Sequence, residues 1–207
     1  MMKNRLLIIG CCDAKNRGGV KQIASTNFIS NDFLRMRAIR FNYYLNLFTQ
    51  DSDYFINKTN GHNYLFDCKV AVENNLKLPA YERYRGRFYD KELKKLYSDY
   101  SLKFGLHILI ISGLYGVIKF NEPIIYYHLE IKKGGNWYSN IIHNEILEYI
   151  TNNNIQDEDV YYSLSDSYLN ALKPKKIWNN LWINASDSSS LLKSRNSLKD
   201  KFSSLFF

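Results

Sequence analysis

The chain has 207 residues, 45% of them hydrophobic, and a formal net charge of +8 at pH 7. That length fits one globular domain with a sizeable core, and no run of about 18 apolar residues is present to predict a membrane-spanning helix. Three cysteines, two of them adjacent, make a poor disulfide framework and predict a reducing, cytoplasmic setting.

The start, MMKNRLLIIGCCDAKN, joins a basic opening to a short apolar run. The run is too short for the core of a signal peptide and no small-residue cleavage site follows, so it reads as a first strand over residues 6–9 that ends at Gly10. CCDAKNRGG then forms a polar loop with a Gly-Gly break. NDFLRMRAIRFNYYLNLFTQ reads as a helix capped by Asn31 or Asp32, with Phe33, Met36, Ile39 or Arg40, Tyr43 and Leu47 near helical spacing. Arg35, Arg37 and Arg40 are spread around it, either as a solvated face or as a phosphate-contacting one.

Residues 51–65 look irregular. Beyond them come a short segment, a loop around Pro79 and a helix over residues 90–100. LHILIIS is the most strand-like run in the chain. NWYSNIIHNEILEYITNNN is a helix with Ile141, Ile142, Ile146 and Ile150 as its apolar positions. DVYYSLSD is a strand leading into SYLNALKP, a helix that stops before Pro174, and KIWNNLWINA is the expected last strand. Strands alternating with helices predict an α/β domain over residues 1–185, with a mixed α+β arrangement left open. The Ser-rich, basic tail over residues 186–207 reads as a short helix or as disorder.

The +8 charge comes with 17 Tyr, 12 Phe and 3 Trp. Positive charge attracts phosphate backbones and aromatic faces stack on bases. Codon bias in an AT-rich genome inflates tyrosine in the same way, though it accounts less well for the arginines.

Four segments share one grammar, read as a buried strand followed by a polar turn that bears Gly or Ser: LLIIGCCDAKN, LILIISGLYG, VYYSLSDSY and the loop YERYRGRFY. Ligand sites in α/β sheets lie beyond the carboxyl ends of strands, so these turns are expected to converge on one pocket. The chain has no G-x-x-x-x-G-K-[ST], no G-x-G-x-x-G after the first strand and no G-x-S-x-G elbow. Cys11 and Cys12 have no C-x-x-C partner, so no metal site and no cofactor are predicted. Cys11 reads as a buried small hydrophobe, with a nucleophile as the other reading.

The acidic candidates are Asp13, Glu122, Glu130 and Asp166, each just past an apolar run. A carboxylate against an apolar wall serves acid or base chemistry with a raised pKa, or stays ionised to stabilise a cation. Asp166 has a second reading as a helix cap, and Glu130 as the partner of a lysine on an exposed strand.

The segments ISGLYGVI and EPIIYYHLEI together resemble the signature of the YaaA family of peroxide-stress proteins and its shorter relatives. Ser112, Gly113, Leu114, Tyr115 and Gly116 match that family's turn, Glu122 its acidic position, and Tyr127, Leu129 and Glu130 its closing segment. Gly86 and Tyr89 match a Gly-x-x-Tyr segment, Ser165 and Tyr168 a downstream segment, and Ala14-Lys15 an early turn. His128 stands where the family has arginine, and Tyr126 where it has proline.

The resemblance implies a central mixed sheet flanked by helices, and DNA binding. Related domains handle modified bases, including in anti-phage base excision. The function expected on that basis is a DNA N-glycosylase that flips out and excises a modified base. The alternative is a DNA-binding stress protein without turnover, and an enzyme of free nucleotides is a third reading. On the glycosylase reading, Tyr115 and Tyr127 stack on the base, Glu122 or Asp166 faces the sugar, and Lys15, Arg85 and Arg87 hold phosphates. Gly86, Tyr89, Ser112, Gly113, His128, Ser165 and Tyr168 complete the substrate positions, and the irregular segment 51–65 lines the pocket. No obligate protein partner is inferred.

Overall fold

The computed structural model describes residues 3–12, 14–21, 31–56, 61–85, 89, 94, 105–133 and 139–181. Its elements in chain order are β1 (Arg5–Gly10), β2 (Val20–Lys21), α1 (Asn31–Gln50), α2 (Leu65–Glu73), β3 (Leu76–Pro79), α3 (Ala80–Arg83), β4 (Leu106–Ser112), β5 (Gly116–Lys119), β6 (Pro123–Ile125), α4 (Ser139–Asn152), β7 (Val160–Ser163), α5 (Asp166–Leu172) and β8 (Asn179–Asn180). Short 3-10 turns cover Ser52–Phe55 and Asp157–Asp159.

The fold is mixed α/β. Five strands form one sheet in the order β5-β4-β1-β7-β8. β1 runs parallel to β4 and β7, β8 runs parallel to β7, and β5 turns back antiparallel on β4. A smaller antiparallel sheet has the order β2-β3-β6.

β1 shows why this sheet forms. Its middle four residues are all buried, as a strand covered on both faces requires. Leu7 and Ile9 enter one core with Ile108 and Ile110 of β4; Leu6 and Ile8 enter the other with Leu109 and Ile111. On the second face α4 contributes Ile142, Ile146, Tyr149 and Ile150, one stripe at helical spacing. The first face is covered by Tyr44 and Leu47 of α1, Phe55, Cys68 and Ala71 of α2, and Ile124 and Ile125 of β6.

Most predicted elements fall where their sequence pattern puts them. KIWNNLWINA pairs with β7 only at Asn179 and Asn180. Around that short pairing Trp178 enters one core and Leu181 the other, so alternation shows there even though the ladder is brief. The predicted helix over 90–100 and the tail over 186–207 lie outside the described residues, apart from Lys94. Among the described residues no helix is long and apolar enough to cross a membrane.

Candidate functional site

β1 is flanked by β4 on one side and β7 on the other, so the sheet has a switch point at its central strand. The three strands are parallel, and their carboxyl ends emerge on one edge at Gly10, Ser112 and Ser163. Side chains and backbone tie these ends together. Cys11 N donates to Ile111 O at 2.9 Å. The Tyr168 hydroxyl of α5 lies 3.0 Å from Cys11 Sγ and donates to Cys11 O at 3.1 Å. Tyr89 donates its hydroxyl proton to Gly10 O at 2.8 Å.

The loop after β1 is held in an extended pairing with residues 82–85. Arg85 N donates to Ala14 O at 2.9 Å, Asn16 N to Arg83 O at 2.7 Å, and Lys15 bridges to Tyr84. Arg83 locks this arrangement from beneath. It is 0% exposed, and its guanidinium donates to the carbonyls of Asn16, Gly18, Leu76 and Ile124. Burial lowers its pKa to about 10, so it is still a cation at neutral pH.

Lys15 is 9% exposed. Its ammonium donates to Cys12 O at 2.8 Å and stands over two rings, 4.6 Å from the centre of Tyr127 and 5.6 Å from that of Tyr84. Such cation–π contacts strengthen when desolvated. No ion pair among the described residues includes Lys15.

Beneath the lysine runs a buried chain of hydroxyls. Ser112 Oγ lies 2.7 Å from the Tyr127 hydroxyl, which lies 2.7 Å from the Tyr84 hydroxyl. Ser112 Oγ also accepts from Tyr115 N at 3.1 Å. Burial pushes the phenols of Tyr84, Tyr89 and Tyr127 well above their ordinary value, so they act as neutral donors and acceptors.

A cavity of about 670 Å³ opens beside Lys15. Lys15, Arg17, Arg85, His62, Tyr64 and Tyr126 line it, and no described lining residue is a carboxylate. Arg17 is tethered: Nε is 3.0 Å from Asp67 Oδ2, and Nη2 donates to His62 Nε2 at 2.6 Å. Burial pushes the Tyr126 phenol up to about 12, and the neighbouring Arg17 opposes the rise. Tyr64 stacks on His128 with centroids 4.6 Å apart and an interplanar angle of 14°. His62 and Tyr64 belong to the irregular segment whose place in the pocket wall was expected.

The β4–β5 hairpin explains the Ser-Gly-Leu-Tyr-Gly run in packing terms. A Cβ on Gly113 would meet Leu129 O at 2.0 Å, closer than any side chain allows. Gly116 has φ +74°, a left-handed conformation that glycine adopts without strain. Tyr115 pins neighbouring elements, because its hydroxyl accepts from Ile125 N at 3.1 Å and its carbonyl from Arg37 Nε at 2.8 Å. Arg37 also donates to Val117 O at 2.6 Å and to Glu122 Oε1 at 2.7 Å. Glu122 Oε2 accepts from Lys119 N at 3.2 Å. Arg40, 0% exposed, donates to Gly113 O and Glu130 O, both at 3.0 Å. Arg37 and Arg40 thus fit neither of the two surface roles read for this helix; only Arg35 of the three is exposed.

The sequence-predicted residues therefore divide. Lys15, Tyr89, Ser112, Tyr127 and Tyr168 meet at the strand ends, and Arg85 lines the cavity beside them. Ser112 and Tyr127 are interior residues, 0% and 1% exposed. Tyr115 lines a separate cavity of about 320 Å³ with Arg37, Phe41 and Leu114. Gly113 and His128 are engaged by packing. Glu122 is paired with Arg37, and the Glu130 side chain is exposed with no ion pair among the described residues. Ser165 occupies the cap position of α5, and Asp166 follows it, exposed, as the first residue of the helix. Asp13, Gly86 and Arg87 lie outside the described residues.

No family model matches the chain, and a search of curated proteins finds no match.

Arg17, His62, Tyr64, Tyr126 and Arg83 complete this region. His62 and Tyr64 come from the irregular segment expected to line the pocket, and Arg83 from the YERYRGRFY loop expected to converge on it. Arg17, two residues past Lys15 in the polar loop, and Tyr126, brought in by the fold, are additions to the expected set.

Proposed function

We propose that this chain acts on nucleic acid as a DNA N-glycosylase that excises a modified base. One observation carries the reading: beyond the strand ends, three cations and two tyrosines line a single cavity of about 670 Å³. A nucleotide turned out of a strand presents a phosphate and a flat ring, and such a cavity offers partners for both. Lys15 and Arg85 are assigned to phosphate, Tyr64 and Tyr126 to the base. Tyr127, whose ring carries the lysine ammonium, is assigned to support. The resemblance to the YaaA family and its relatives adds to the reading, with cytoplasmic action on modified phage DNA as the setting.

In the hydrolysis, the bond between sugar C1′ and the base nitrogen breaks and its electron pair leaves with the base. The sugar takes on oxocarbenium character, which an ionised carboxylate stabilises. Water adds to C1′, and the proton it loses ends on the nitrogen of the departing nucleobase, so hydroxyl sugar and neutral free base are the products. Asp166 is the carboxylate assigned here. It is exposed at the start of α5, two residues before Tyr168, which binds the end of β1. Asp13 is the second candidate. Glu122 is not assigned, because both its oxygens are occupied.

The test is mass spectrometry of bases released from DNA carrying unmodified, methylated, hydroxymethylated or glucosylated bases. Release of one modified base, lost in a folded Asp166→Ala variant, is the expected result. Lack of release from every substrate, with salt-sensitive binding retained, would establish DNA binding without turnover. The absence of a carboxylate from the described cavity lining favours that second reading.

A further inference from the structure

We infer that the cavity beside Lys15 holds one unpaired nucleotide as a unit. The phosphate sits between Lys15 and Arg85, the base lies against Tyr64 and Tyr126, and the ligand class is the nucleoside monophosphate. The inference rests on the preceding reading for nucleic acid as the source and for the assignment of these four residues, and adds that one nucleoside monophosphate is sufficient to fill the site.

The first support is Lys15 itself. The residue as a whole is 9% exposed, and taking an ammonium out of water is costly unless it is compensated. Here the compensation is one carbonyl and two ring faces, with no carboxylate among the described residues. An ammonium has three donors, so the arrangement leaves capacity for an anion. Arg85 is exposed on the same cavity, and no described ion pair includes it.

The second support is that the cations are not equivalent. Arg17 is already held by Asp67 and His62, so it shapes the wall while Lys15 and Arg85 supply charge that no carboxylate among the described residues pairs. A phosphate monoester or diester neutralises that pair; a neutral nucleoside does not.

The third support is size and lining. About 670 Å³ falls within the roughly 300–1,000 Å³ of small-ligand pockets. A duplex groove binder needs a continuous cationic face instead. Tyr64 is backed by its stack on His128, which fixes its ring and lowers the entropy lost when a base packs against it.

Titration calorimetry of the full chain tests this with a deoxynucleoside 5′-monophosphate, its nucleoside and inorganic phosphate as probes. The monophosphate is expected to bind at least tenfold more tightly than either of the other two. Arg85→Gln, at an exposed position, is expected to weaken the monophosphate at least fivefold and leave the nucleoside unchanged. Tyr64→Leu is expected to weaken monophosphate and nucleoside alike. Equal binding of monophosphate and nucleoside, equal binding of monophosphate and phosphate, or no binding by folded protein would each overturn it. Base release without monophosphate binding would sink this inference alone; monophosphate binding without base release would sink the glycosylase alone.

Discussion

The Lys15 ammonium stands 4.6 Å from the centre of the Tyr127 ring. The tyrosine that carries it is itself fixed by Ser112 on one side and Tyr84 on the other. Tyr127→Phe removes the middle hydroxyl and leaves two buried neighbours each short of a partner. The expected cost is about 1–3 kcal/mol. For a chain of this size that lowers Tm by about 2–4 °C per kcal/mol, readable by calorimetry. An unchanged Tm would show that the chain of hydroxyls contributes nothing.

Glu122 offers a direct contrast between architecture and chemistry. Its side chain is 3% exposed and pairs with Arg37 at 2.7 Å. Glu122→Ala leaves a largely buried guanidinium without its carboxylate, at a cost of about 3 kcal/mol. Urea denaturation should show the loss as a lower midpoint. A variant of full stability with abolished base release would return Glu122 to the reacting centre.

Alkaline pH should unfold the protein through its buried phenols. Burial raises Tyr115 and Tyr126 from the ordinary value of 10.0 to about 12, and raises Tyr84 and Tyr127 as well. A raised folded-state pKa gives stability that is whole below the unfolded value and is lost as pH climbs through the folded one. The fall should therefore begin near pH 10 and be steep by pH 12. Tyrosinate absorbance followed with circular dichroism checks this. Ionisation of every tyrosine near pH 10 with the fold intact would contradict it.

Ser163 makes a small, sharp case. Its Oγ is buried at the carboxyl end of β7 with no hydrogen-bond partner among the described residues. Ser163→Ala removes an unsatisfied hydroxyl and should leave stability within about 0.5 kcal/mol of the parent, or raise it by about 1 kcal/mol. A loss above roughly 2 kcal/mol would show that the hydroxyl has a partner.

The sheet was readable because β1 and β4 are continuous apolar runs, the mark of strands covered on both faces. α1 was readable from its spacing, yet the fate of its arginines was not. Arg37 and Arg40 meet carbonyls 73 to 90 residues away, and a period of 3.6 does not report what waits opposite a helix face. The same holds for the cavity. Lys15 follows the first strand and could be singled out, whereas Arg17 meets His62 across 45 residues through a tertiary approach no local pattern encodes. Arginine in particular misleads, because its polarity suggests solvent while backbone carbonyls can satisfy its whole fork.

Loops that carry binding residues usually belong to the least stable part of a protein and open without the rest. The Arg83 clamp changes that for residues 14–18. Freeing the loop would strand a buried guanidinium from the Asn16 and Gly18 carbonyls, while its bonds to Leu76 and Ile124 hold it in the interior. The Asn16 and Arg85 amides should then exchange with solvent deuterium as slowly as those of the sheet. Entry to the cavity would fall to the swing of the exposed Arg85 side chain, on a timescale of nanoseconds, with the backbone beneath it standing still.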